Sequence, residues 1–381
     1  SVGDVNVLVL PVCFNGDTEQ KKAKIDTGIL DEVFNGESGV SAYFKKSSFG
    51  KLNMQFDIYP EALEVAQSPN DLITAGDSNA VLLSLLALLE DKIDLGKYDS
   101  DGDGYIDSVV MVNTMDKNSD ILSGWAFKSH NTITTPSGDA YLFDGKNVGG
   151  YAWISGDFIY DDEGNMTIYT LVHEITHTMG VPDYYANDYM YADNPVYGQD
   201  MTSDVMMDHS PFTKFALGWI TETTLITDLD SAKISLGNFW ETGETLIVAN
   251  DFDPALGCFQ EYYIMMYSVG EPAFSDGIVV YHINSSIIET VIFNREETWI
   301  YNNNDAYVVD GSEDNLIEIV GTKDNLSTPI ETSRTYSFST LDDKGMPLQV
   351  QFHVPVKNNT RVFLEFEKYG TNDVKVGMLE Q

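Results

Sequence analysis

Residues 166–183, MTIYTLVHEITHTMGVPD, carry the strongest structural signal in this sequence. Apolar side chains recur on one side over residues 166–179, which predicts an amphipathic helix. His173 and His177 stand at positions i and i+4, so their imidazoles lie on one face and can bind a single metal ion. Glu174 follows the first histidine and can act as the general base on a zinc-activated water.

The residues that follow predict where this helix ends and what completes the metal site. Gly180 can take the left-handed conformation that ends a helix, and Pro182 cannot continue one. The chain therefore turns back, and Asp183 can become the third metal ligand. Two imidazoles, one carboxylate and a water form the open tetrahedral site of a catalytic zinc ion, whereas a structural site is closed and usually contains cysteines.

The sequence offers two alternatives to Asp183 as the third ligand. Some zinc peptidases use a glutamate on a later helix, but the next glutamate after Glu174 is Glu222, outside the predicted catalytic region. His209 stays open as an alternative ligand, next to its interpretation as a hydrogen-bonded loop histidine.

A second metal motif lies at residues 99–107, DSDGDGYID. The carboxylates of Asp99, Asp101, Asp103 and Asp107 occupy positions 1, 3, 5 and 9 of a calcium-binding loop, and Tyr105 at position 7 adds a backbone carbonyl. Residue 12 of the loop is valine and a strand follows, so this is not an EF-hand. The alternative is a merely solvated acidic turn, in which the four carboxylates would repel one another. We expect a structural Ca²⁺ ion here.

Composition excludes several classes of partner. The chain has 381 residues, 60 of them acidic and 21 basic, and a formal net charge of −39. Nucleic acids and anionic membranes require Lys/Arg patches, so neither is an expected partner. The excess of acidic residues is typical of a protein that is soluble in an extracellular medium, and a few of these carboxylates are expected to bind cations. No apolar run approaches the roughly 20 residues of a membrane-spanning helix. We expect a secreted monomer whose signal peptide is absent or has been removed.

The two cysteines, Cys13 and Cys258, are too few for a disulfide framework and are expected to be buried free thiols.

The periodicity of the chain changes near its middle. Strand and helix patterns alternate over residues 1–221, which predicts an α/β (α+β) layered catalytic domain containing both metal motifs. Short strand patterns between turn residues fill residues 222–381, which predicts a β-rich, sandwich-like domain. Within the first domain, residues 149–155 are the expected edge strand for an extended substrate.

Several motifs, in order along the chain, resemble the immune inhibitor A family of secreted bacterial zinc metallopeptidases. Residues 43–52, YFKKSSFGKL, are similar to a segment of that family, as are the acidic loop and the glycine–tryptophan pair at Gly218-Trp219. Residues 173–183 match its extended HExxHxxGxxD signature, and Met206 matches its methionine turn. The resemblance implies a metzincin-like catalytic domain, zinc on His173, His177 and Asp183, and Glu174 as the base. Residues 207–209 depart from the family, which tends to have small residues there.

These observations predict a zinc-dependent metalloendopeptidase, a hydrolase of protein or peptide substrates. One alternative is a catalytically silent, metal-stabilised surface or binding protein that uses its β-rich domain, and another is hydrolysis of non-peptide amides. The residue that stabilises the oxyanion is left open among Tyr184, Tyr185, Tyr197 and His209. His282 lies within a strand pattern and is expected to be a hydrogen-bonded structural histidine.

Overall fold

The structure is a computed structural model. It describes residues 1–66, 78–117, 127–129, 141–185, 196, 198–203, 207–226, 231–249, 252–271, 276–285, 287–292, 295–300, 316–319, 328–329, 334–339, 347–352, 361–369 and 373–378. The chain forms two compact units, Ser1–Val181 and Pro182–Gln381, and each is described by itself.

The first unit combines a sheet with helices. Its strands are β1 (Gly3–Phe14), β2 (Leu52–Ile58), β3 (Leu63–Val65), β4 (Tyr105–Asn113), β5 (Phe127–Ser129), β6 (Leu142–Phe143) and β7 (Lys146–Ser155). Its α-helices are α1 (Glu19–Lys22), α2 (Thr27–Asn35), α3 (Val40–Ser47), α4 (Ser78–Leu89) and α5 (Tyr169–Thr178), and short 3₁₀ helices span Ala23–Ile25, Leu95–Tyr98 and Gly156–Ile159. The content is therefore mixed α and β, as predicted.

The sheet of the first unit is mostly parallel. Its strand order is β2-β1-β4-β7-β5, in which only β5 runs antiparallel to its neighbour, while β3 adds to β1 and β6 to β7. Strands covered on both faces read as continuous apolar runs rather than as alternating ones. The central strand β1 shows this, because its residues 7–14 are all buried.

One prediction about this unit is wrong. Residues 149–155 are not a sheet edge, because β7 pairs with β4 on one side and, along residues 151–153, with β5 on the other. The three-residue strand β5 is too short to give a recognisable sequence pattern. Helix α4 packs Val81, Leu85 and Leu89 into the core, while Leu88 is 54% exposed.

The second unit is rich in strands, with two short helices, α6 (Pro211–Ala216) and α7 (Phe239–Thr242). Its main sheet has the order β15-β12-β11-β10-β8, with β16 added to β12. The members of this sheet are β8 (Glu222–Ile226), β10 (Glu244–Val248), β11 (Glu261–Ser268), β12 (Gly277–Asn284), β15 (Ile317–Ile319) and β16 (Thr328–Pro329).

Smaller sheets complete the second unit. One pairs β13 (Ile287–Ile292) with β14 (Arg295–Ile300), and another pairs β17 (Arg334–Ser339) with β18 (Pro347–Phe352). A third places β19 (Arg361–Tyr369) between β9 (Ser231–Gly237) and β20 (Asp373–Met378). The strand-rich part begins with β8 at Glu222, as expected, although helix α7 interrupts it. The compact units divide the chain earlier, after Val181, and the domain boundary between residues 221 and 222 stays a prediction.

Two simpler expectations can be compared with the structure directly. Cys13 and Cys258 are both buried and free, which confirms the prediction. Across the part of the chain that the structure describes, every helix is too short or too polar to cross a membrane.

Candidate metal centre

Helix α5 carries the first candidate metal site. The side chains of His173, His177 and Asp183 each offer one ligand atom, and these atoms all lie within 4.8 Å of one another. The two imidazoles are 6% and 4% exposed and meet edge to face, with 3.0 Å between their Nε2 atoms. Zinc–nitrogen bonds of 2.0–2.1 Å place two tetrahedral ligand nitrogens about 3.3 Å apart. The observed spacing therefore needs only a small relaxation to accept a zinc ion.

A hydrogen bond orients the ring of His177 for this role. Its Nδ1 atom lies 2.7 Å from the backbone oxygen of Val181. A carbonyl oxygen can only accept, so Nδ1 carries a proton, and in the neutral ring Nε2 then keeps its lone pair. That lone pair faces His173, where a shared cation would lie.

The turn after the helix is the one that the sequence predicts. Gly180 has φ of +91°, and its amide donates to the carbonyl of His177 over 2.9 Å. A Cβ at this position would meet no atom within 4 Å, so the positive φ alone accounts for glycine here. The turn lets the chain reverse, and partly buried Asp183 joins the two histidines.

Glu174, the predicted base, lies on the same helix between the two histidines. It is 6% exposed, in the same buried environment as the imidazoles. Helix α5 packs against β4, β5 and β7, so the sheet supports the segment that carries both histidines and this carboxylate.

The aspartate loop forms the second candidate site. Ligand oxygens of Asp99, Asp101 and Asp103 lie within 4.8 Å of one another. Gly102 and Gly104 have φ of +78° and +94°, the conformations that allow the loop to curl around a centre. Asp107 is also at the loop, where its Oδ2 accepts a 2.7 Å hydrogen bond from the Ser100 amide, but it is not one of the three grouped carboxylates.

Asp99 has one buried carboxylate oxygen without a hydrogen-bond partner among the described residues. Its side chain is 1% exposed, and Oδ2 accepts hydrogen bonds from Lys146 Nζ at 2.5 Å and from the Gly104 amide at 3.2 Å. The hydrogen bond from Lys146 lowers the pKa of Asp99. Among the described residues, Oδ1 of Asp99 is buried and finds no hydrogen-bond partner. Hard carboxylate oxygens of this kind are what Ca²⁺ binds, so the residues present fit that ion.

The remaining predicted residues lie elsewhere. Among the described residues, the histidine pair is grouped with Asp183 and not with His209, which is fully buried with its ring edge-on to Trp219 at 5.2 Å. Tyr184 is also buried, and its hydroxyl lies 3.3 Å from that of Thr213, so neither residue is an exposed oxyanion partner. Met206 and Tyr197 lie outside the described residues.

His282 is a structural histidine, as predicted. Its Nδ1 lies 3.1 Å from Glu318 and its Nε2 lies 3.1 Å from Glu261. Burial opposes the charged ring, but these two carboxylates outweigh burial and raise the pKa of His282 to about 9.

Sequence reasoning missed Lys146 beside Asp99 and the buried carboxylate of Asp200 in the second unit. Lys146 reaches Asp99 across 47 residues, and the partners of Asp200, which are Thr202, Ser210 and Thr213, follow it at spacings that form no recognised motif. A scan against models of known protein families finds none that matches this chain, and a search of curated proteins finds no match.

Proposed function

We propose that this protein is a secreted, zinc-dependent endopeptidase with a metzincin-like catalytic domain. The observation that carries the proposal is the grouping of His173, His177 and Asp183 on either side of the Gly180 turn, with the proton of His177 directed to a backbone carbonyl. Two neutral imidazoles and one carboxylate are the ligand set of an open, catalytic zinc site. The resemblance to the immune inhibitor A family, drawn from the same residues, adds to this support.

A zinc ion held by His173, His177 and Asp183 would supply a Lewis acid at this site, and would lower the pKa of a bound water to about 7. Glu174 takes the proton from the attacking water and then delivers it to the leaving amine. His177 stays in the required tautomer through its hydrogen bond to Val181.

We also propose that the aspartate loop holds a structural Ca²⁺ ion. Asp99, Asp101 and Asp103 would supply carboxylate oxygens, and the unpartnered Oδ1 of Asp99 is the strongest support. Asp107 and the carbonyl of Tyr105 complete the proposed ligand set. Such an ion would connect the segment after helix α4 to strand β4 and so stabilise the first unit.

The experiment that tests the peptidase proposal compares Glu174→Gln with the wild type. We expect cleavage of a quenched protein substrate to fall by about 10²–10⁴-fold, the usual contribution of general acid–base catalysis. Zinc content, measured by metal analysis, should not change. Glu163→Gln, at an exposed position of the same unit, is the matched control and should keep full activity. Undiminished cleavage by the Glu174→Gln variant would refute the assignment.

The same assay separates the proposal from a non-catalytic role. Wild-type protein that binds one zinc ion and shows no phenanthroline-sensitive cleavage would favour a metal-stabilised binding protein. Activity on small amides but not on proteins would favour an amidase.

A further inference from the structure

We propose that Asp200 is a positioning residue, which holds Asp183 in place for zinc through Tyr184 and thereby sets the zinc affinity of the site. This inference rests on the proposed zinc site. Asp200 is not one of the three grouped ligand residues.

Asp200 is a fully buried carboxylate that accepts four hydrogen bonds. Oδ1 accepts from the amide and the hydroxyl of Thr202 at 2.8 and 3.0 Å. Oδ2 accepts from the Ser210 amide and from the Thr213 hydroxyl, both at 2.7 Å. A buried carboxylate is tolerated when donors satisfy it in this way. Asparagine has a single acceptor oxygen and could not accept from both sides, so this environment requires an aspartate.

Tyr184, the residue after Asp183, is attached to both segments that Asp200 holds. Its amide donates to the Thr202 carbonyl over 3.1 Å, and its hydroxyl lies 3.3 Å from Thr213 Oγ1. The Thr213 hydroxyl is the donor in this contact, and it donates more closely to Asp200, so its one proton lies between the carboxylate and the Tyr184 hydroxyl.

Asp183 therefore lies on a short segment that is anchored on both flanks. On one flank, His177 donates to the Val181 carbonyl. On the other flank, the amide and the hydroxyl of Tyr184 are both hydrogen-bonded, and the residue is only 1% exposed. A monodentate carboxylate ligand binds well only if its position is set beforehand, because ordering it on binding costs conformational entropy. Outer partners of metal ligands commonly contribute 10–100-fold in metal affinity.

The test measures the zinc dissociation constant at neutral pH by competition with a chromophoric chelator. We expect Asp200→Asn to weaken zinc binding by about 10–100-fold. Thr213→Val should weaken it in the same direction, whereas Thr213→Ser, which keeps the hydroxyl, should restore wild-type affinity. Asp208→Asn is the matched control, since Asp208 pairs with buried Lys214 at 2.9 Å and accepts from the His209 amide at 2.7 Å. It should lower the melting temperature without changing zinc affinity.

A double-variant cycle separates positioning from general destabilisation. In the Asp183→Ala background, where the ligand is gone, Asp200→Asn should cause no further loss of zinc affinity. Wild-type affinity in folded Asp200→Asn and Thr213→Val, or an equal additional loss in the Asp183→Ala background, would overturn the proposal. If Asp200→Asn does not fold, the Thr213→Val and Thr213→Ser pair decides. Failure of the wild type to bind zinc would instead refute the zinc site itself.

Discussion

The charged cluster around His282 predicts that the second unit loses stability at alkaline pH. His282 lies on β12 between Glu261 of β11 and Glu318 of β15, and its ring stacks on Tyr263 with 4.7 Å between ring centroids. The ring is 11% exposed, so burial opposes its charge, but the two carboxylates outweigh burial. Tyr263 carries no charge at the pH values at which His282 titrates, because burial raises the pKa of the Tyr263 hydroxyl above its ordinary value. The protonated imidazole therefore links three adjacent strands.

The magnitude follows from the pKa of His282, which is about 9 in the folded state against an ordinary value of 6.5. At about 1.4 kcal/mol per pH unit, this shift corresponds to about 3 kcal/mol. That figure is an upper limit, since Glu318 is 42% exposed and solvent screens its charge. Because the folded pKa is raised, the stabilisation is fully present below pH 6.5. It is lost as the pH rises towards 9.

The assay is urea unfolding of the second unit at several pH values between 6 and 9.5, for the wild type and for His282→Gln. The wild type should lose up to about 3 kcal/mol more than the variant across this range. Other titrating groups are common to both proteins and cancel in the difference. An NMR titration of the His282 ring should give a midpoint near 9. Equal slopes in the two proteins, or a midpoint near 6.5, would refute the reasoning.

Three further predictions concern the metal sites. Gly180 and Gly164 both have a positive φ, and a Cβ at either position would meet no atom within 4 Å. Replacing either one with alanine should lower the stability in thermal unfolding by about 1 kcal/mol. Only Gly180→Ala should also weaken zinc binding. Equal zinc affinities would contradict this. Removing Ca²⁺ with EGTA, with zinc restored, should lower the melting temperature, and Asp99→Asn should abolish the shift; an unchanged wild-type melting temperature would count against the site. Lys146→Met should raise calcium affinity about tenfold by calorimetry, because it removes a positive charge 2.5 Å from Asp99, whereas Lys117→Met should not. Equal affinities would show that the ammonium does not oppose the ion.

The local features of both candidate sites could be predicted from the sequence because they depend on short spacings. Helical geometry alone places His173 and His177 on one face, and glycine at residue 180 marks the left-handed turn that the structure contains. The alternating aspartates of residues 99–103 likewise converge through the curl of their own loop. In each case fewer than a dozen consecutive residues bring the groups together, so no distant part of the chain has to be known.

Sheet neighbours could not be predicted in this way. Strand β5 covers the flank of β7 that the sequence leaves as an edge, because three residues carry no periodic signal. Helix α4 exposes Leu88 although its sequence is apolar nearly all round, since only its packing against the sheet decides which side is covered.

The sequence by itself determined which residues can bind metal and where their helix ends, because those properties follow from residue type and backbone geometry over one or two turns. Only the tertiary structure decided which groups surround them. Lys146 reaches Asp99 from 47 residues away, and Glu318 reaches His282 from 36 residues away. Thr202, which pairs with Asp200, also accepts the amide of Tyr184 from 18 residues earlier in the chain. Such contacts depend on how strands and loops fold onto one another, and hydrogen bonds and charges at those distances leave no local spacing in the chain.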